Sequence, residues 1–277
     1  MSPFFGAGRA VLVTFALWVF GALAASADAR MTALVDVLKL NEAAMILSDE
    51  GKVQAQDINL DMLDGQGGAG WAQQVDRIYA PALMVELVRA ELERELSGEA
   101  LEDVIRFYAG SRGTRIVDLE NAARRAIQDP EVEAAARARF AEVEDSMDKR
   151  LALITRYVEQ GDMISRNVTS ALNSNYQFLR GLAEGGALEM TEEEMLADAA
   201  TDIEASTRDT TEWLFGFLLL AYHPLDDDDL QAYITFCETD AGQALNRALF
   251  EGFGKAYEDI SYALGRAVAL NMTAQEL

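Results

Sequence analysis

Leu96-Ser97-Gly98-Glu99-Ala100-Leu101 leads into Ile105, Phe107, Gly113 and Ile116, and Leu225-Asp226-Asp227-Asp228-Asp229-Leu230 leads into Ile234, Phe236, Gly242 and Leu245. Every matched pair is 129 residues apart. Ser97 and Asp226 stand at equivalent N-cap positions, where a side-chain oxygen accepts an amide hydrogen bond from the first helical turn. Leu96 with Leu101, and Leu225 with Leu230, occupy the two ends of a hydrophobic staple. Each stretch then predicts a short helix, a corner at Gly110-Ser111 or Thr239-Asp240, and a longer helix. Gly113 and Gly242 fall in the first turn after the corner, where a missing side chain lets another backbone approach closely. A helical unit used twice predicts an all-α protein.

The surrounding sequence agrees. Sustained period-2 alternation and Asn-Gly hairpin turns are absent, so strands are not expected. From Val132 the apolar positions run through Ala136, Phe140, Val143, Met147, Leu151, Ile154 and Val158, with spacings of 4, 4, 3, 4, 4, 3 and 4. That eleven-residue repeat lies close to helical pitch. Asp129-Pro130 supplies a cap and a first-turn proline, and Gly161 a stop. One helix of about 45 Å is therefore expected over 131–160, joining a first helical unit at 28–130 to a second at 161–277. Thr191-Glu192-Glu193-Glu194 reads as a capping box. Trp213 to Tyr222 is apolar on every face and too short to cross a bilayer. It is expected as the central helix of the bundle, with Trp213, Phe217 and Tyr222 as the wall of a possible apolar pocket.

The corner also suggests a family. Phe107-Tyr108-x-x-x-x-Gly113 resembles the Phe-Tyr-x-Ser-Pro-x-Gly signature of a secreted bacterial family, domain of unknown function two thousand and fifty-nine. The signature's Ser-Pro is Gly110-Ser111 in the first stretch and Thr239-Asp240 in the second, where Cys237 replaces the tyrosine. The resemblance implies an exported, all-helical module present as two divergent copies. It implies no established reaction and carries over no catalytic residue.

The chain has 277 residues, with 23 Lys+Arg against 47 Asp+Glu and a formal net charge of −24. Such a surface repels phosphate backbones, and no basic stripe offsets it, so nucleic acid is not an expected partner. Arg9, the apolar run Val11–Leu23 and the small residues Ala24-Ala25-Ser26-Ala27 read as a signal peptide over 1–27, cleaved between Ala27 and Asp28. The alternative is a retained anchor, but the run falls short of a comfortable span and no basic cluster follows it. The expected location is periplasmic or secreted, with no membrane span after cleavage. Cys237 is the only cysteine, so no internal disulfide can form.

Candidate chemistry is sparse. His223, the only histidine, precedes the acidic run Asp226–Asp229. The cluster could hold a cation, but acids in a first helical turn are also what the helix dipole favours. Asp57-Ile58-Asn59-Leu60-Asp61 opens like a calcium loop, yet Met62 stands where glycine is required and Gly68 where glutamate is. That segment and the glycines through Gly70 are expected as a helix end and a surface loop. Cys237 is expected to pack rather than react, with no base nearby. No catalytic residue, metal ligand or cofactor is assigned. The expected function is that of an exported, non-enzymatic helical protein acting through contacts with a protein partner or in the envelope. The alternatives are a carrier of a small apolar or lipid-like ligand and an acidic cation-binding protein.

Overall fold

Capping and staple signals mark some of the helix starts, while others begin without a side-chain cap. A computed structural model describes residues 28–275; the signal peptide expected over 1–27, with its expected cleavage after Ala27, lies outside the described residues. The chain runs through α1 (28–37), α2 (Leu40–Met62), α3 (Gly68–Ile78), α4 (Pro81–Glu95), α5 (Gly98–Ala109), α6 (Ser111–Ala126), α7 (Pro130–Val143), α8 (Lys149–Gln160), α9 (Met163–Glu184), α10 (Glu192–Ala199), α11 (Ile203–Tyr222), α12 (Asp227–Cys237) and α13 (Asp240–Gln275). No strand occurs among the described residues, and none of their helices is long and apolar enough to cross a membrane. The protein is an all-α helical bundle.

The two stretches that predicted the fold have matching surroundings. Leu96, Leu101, Leu225 and Leu230 are all buried. Asp226 caps α12 by accepting from the Asp229 amide at 2.7 Å, whereas Ser97 stands at the N-cap of α5 without a side-chain bond. A Cβ on Gly113 would overlap the Phe107 carbonyl and come within 2.5 Å of Tyr108 Cα. One on Gly242 would overlap the Phe236 carbonyl and reach 2.6 Å from Cys237 Cα. Thr239 caps α13 by accepting from the Gly242 amide at 3.1 Å. Thr114 Oγ1 donates to the Tyr108 carbonyl at 3.1 Å, and Gln243 Nε2 to the Cys237 carbonyl at 2.8 Å. The rings of Phe107 and Phe236 stack on one another, centroids 4.0 Å apart and 9° from parallel.

The expected helix over 131–160 is two helices. Phe140 and Val143 at the end of α7, and Leu151, Ile154 and Val158 on α8, are buried as the stripe requires, but Met147 between them is 92% exposed. Asp129 caps α7 as expected, accepting from the Glu131 amide at 2.9 Å. The break follows from the polar residues after Val143: Ser146 Oγ donates to the Val143 carbonyl at 2.7 Å, and Asp148 accepts from the Leu151 amide at 2.9 Å, starting a new helix. Short polar side chains compete for backbone groups in this way and end helices. The apolar period survives the break because both helices face one core. Asp162, between α8 and α9, has φ 48° and ψ 38°, and Lys39, between α1 and α2, has φ 49° and ψ 38°.

The expected loop through Gly70 is also shorter than the sequence suggests. Gly68 to Gly70 form the first turn of α3, anchored by buried Trp71, whose indole N–H donates to the Ala55 carbonyl at 3.2 Å, and by buried Val75. The amphipathic anchor outweighs the glycines' low helix propensity.

Two hydrophobic clusters form the interior, and each draws on both halves of the chain. The larger joins Leu34, Leu92, Val104 and Ile116 to Ile154, Leu218, Ile234 and Ala248. The smaller joins Trp71, Val75, Tyr79 and Met84 to Leu182, Ile260, Leu264 and Val268. Helix α13 contributes to both. It meets α9 at Gly181 and Gly265: a Cβ on Gly181 would sit 2.8 Å from the Arg266 amide nitrogen, and one on Gly265 3.1 Å from that of Leu182. Gly216 of α11 likewise lies against the Ala136 backbone of α7, at 3.0 Å from where a Cβ would stand.

Candidate functional site

On α13 the larger cluster ends at Ala248 and the smaller begins at Ala256. Beyond Ala248, Leu249, Phe250 and Phe253 still pack against the larger cluster and, with Gly254, border a cleft of about 390 Å³ walled mainly by that cluster. From α11 come Leu214, Phe217, Leu218 and Tyr222, spaced so that they share one face of the helix. Helix α6 supplies Glu120, Asn121 and Arg124, and α9 supplies Met163, Asn167 and Ser170. The size is that of a small-molecule site, and mostly apolar walls with a few convergent polar groups are its usual chemistry.

The polar end is built on Glu120. Tyr222 Oη donates to its Oε1 at 2.6 Å and Tyr233 Oη to the same oxygen at 3.2 Å. Tyr157 Oη lies 2.9 Å from Tyr233 Oη. With Tyr233 donating to the carboxylate, Tyr157 donates to Tyr233, forming a short chain of hydroxyls ending on Glu120. Burial raises the Glu120 carboxyl above its ordinary value, an effect the two tyrosine hydrogen bonds oppose. Burial above all, with the Glu120 charge adding, pushes Tyr157, Tyr222 and Tyr233 well above the usual phenol range. They therefore stay protonated and act as donors at neutral pH. Beside Glu120, Asn121 is 8% exposed and its Nδ2 has no hydrogen-bond partner. Arg124 is forked onto Glu50 at 2.7 and 2.6 Å, and its guanidinium lies 4.9 Å from the Trp213 ring centre.

Of the expected pocket residues, Phe217 and Tyr222 line the cleft. Trp213 does not; it stacks on Phe217, centroids 5.3 Å apart and 5° from parallel, and supports that ring. Tyr108 and Cys237 border a separate space of about 50 Å³, together with Tyr157 and Tyr233. Burial, with the Glu120 charge adding, pushes the Cys237 thiol up to about 12, so it is a thiol and not a thiolate at neutral pH. His223 is exposed beyond the end of α11. The acidic run is engaged in folding: Asp226 is the cap, Asp227 pairs with Arg150 at 2.7 Å, and Asp229 pairs with Arg112 at 2.7 Å.

Glu120 and Asn121 are the site residues that sequence reasoning missed. The available signal is phase: Glu120 follows Ile116 by four and precedes Ala123 by three, on the buried face of α6. An acid in register with an apolar stripe is out of place unless something inside needs it. Neither a family model, nor a curated protein, nor a solved structure matches the chain.

Proposed function

We propose that this chain is an exported, non-enzymatic carrier that holds a small molecule with an apolar body in the cleft along its larger hydrophobic cluster. The observation that carries this reading is the cleft itself: about 390 Å³, walled by the α11 stripe and ending on a carboxyl ringed by tyrosines. Export rests on the leader at 1–27. The two helical units are read as divergent copies of one module, an inference supported by the 129-residue spacing, the matched glycine corners and the resemblance to the secreted family. A non-catalytic role is supported by the protonated Cys237 thiol and by His223 lying outside the cleft.

The test is binding of prodan, a neutral, environment-sensitive dye of suitable size. We expect blue-shifted emission saturating at micromolar dye, an affinity of about −8 kcal/mol. Gly254→Leu fills the cleft from α13, where an added Cβ would have only Ser170 Oγ at 4.0 Å nearby, so the variant should fold and lose binding at least tenfold. Absence of saturable binding, or equal binding by folded Gly254→Leu and Phe217→Asp variants, overturns the proposal.

A further inference from the structure

We propose that the cleft selects uncharged carbonyl compounds, the carbonyl oxygen accepting from Asn121 Nδ2 and the apolar body lying along the α11 stripe; this rests on the carrier reading above. Asn121 is more than nine-tenths buried, lines the cleft and leaves Nδ2 without a hydrogen-bond partner. A buried N–H group left unpaired is costly, and a ligand acceptor seated against it removes that cost. Turning the amide about its Cβ–Cγ bond towards a guest breaks no hydrogen bond of Nδ2, because Nδ2 makes none. Other donors at this end are already spent: Tyr222 and Tyr233 on Glu120 Oε1, Tyr157 on Tyr233, and the Arg124 fork on Glu50. The ligand group that fits is therefore an acceptor, and charge decides which acceptor. A carboxylate or phosphate would lie beside the Glu120 carboxylate, while the Arg124 charge is already balanced by Glu50. An ammonium group carries only donors and would leave Nδ2 unpaired. A carbonyl oxygen accepts without charge, and its carbon bears the apolar chains that suit Leu214, Phe217 and Leu218.

Four probes sharing a pentyl chain test this on the purified protein. They are methyl pentyl ketone, the alkene in which a methylene group replaces its oxygen, hexanoate and hexylammonium. Headspace partitioning reads binding of the two volatile probes, and equilibrium dialysis that of the two ions. On the wild type, each ion should bind at least about tenfold more weakly than the ketone, a comparison that needs no variant. The alkene has the ketone's shape but is more hydrophobic, so the informative quantity is the ketone-to-alkene affinity ratio in wild type against Asn121→Leu. Leucine keeps the branched outline of asparagine and removes the donor, so the ratio should fall at least about fivefold, as loss of a neutral hydrogen bond implies. Asn121→Ala should lower the ratio likewise, which frees the readout from how well leucine fits. An unchanged ratio in the folded variants, or either ion binding as tightly as the ketone, overturns carbonyl selection. Either result alongside saturable prodan binding leaves the carrier reading intact. Failure of prodan and all four probes overturns both.

Discussion

Glu120 is a carboxyl on the buried face of a helix, held by two phenols and opposed by its own desolvation. Its proton is held more tightly in the folded chain than in the unfolded one, because burial raises its value from the ordinary 4.5. For an acid shifted in that direction, the contribution to stability is greatest below the unfolded value and declines as pH rises through the folded one. Glu120→Gln lacks this decline. Its melting temperature should match the wild type near pH 4 and exceed it progressively towards pH 7, as differential scanning calorimetry would read. A wild type that gained on the variant with rising pH would contradict the sign. Phe217 and Tyr222 were legible as pocket residues because an apolar run advertises itself. Glu120 and Asn121 were not, because one helix shows only that an acid is out of phase. The tyrosines that make it tolerable arrive from α8, α11 and α12, more than thirty residues away along the chain.

Among the elements, the corners between α5 and α6 and between α12 and α13 were legible in most detail. Staple, cap and glycine are local signals, and the atoms nearest each glycine's missing side chain belong to the helix just before it. Gly242→Ala should therefore destabilise the protein by about 2 kcal/mol in urea unfolding, as forced overpacking does. Gly70→Ala, with open space around its Cβ, should instead stabilise α3 by about 0.5–1 kcal/mol. If both substitutions had the same effect, helix propensity and not the corner packing would be responsible. The break between α7 and α8 was hidden for a related reason. An apolar period records which face is buried, and it continues through Met147 although the backbone there has left the helix.

For the whole molecule, division into units at 28–130 and 161–277 describes the chain's order more than its packing. Val104 and Ile116 share a cluster with Ile234 and Ala248, and Trp71 shares one with Leu264 and Val268. Contacts of this kind are invisible to local periodicity, because their partners lie in the opposite half. They predict one cooperative unfolding transition. Trp71 reports the smaller cluster and Trp213 packs against the larger. Trp71→Phe and Trp213→Phe variants, each followed by fluorescence and circular dichroism, should therefore show coincident signals within each protein. Separated transitions would mean that the clusters melt independently.

The glycine contacts of α9 with α13, and of α7 with α11, have a consequence for the walls of the cleft. Where one helix's backbone sits in the notch left by another's missing side chain, sliding by even one residue brings a methyl or larger group into collision. Each pair is thereby keyed, and its two members travel together. If the cleft takes a guest as proposed, widening would be resisted within each keyed pair and would fall instead between α9–α13 on one side and α11 with its partner α7 on the other.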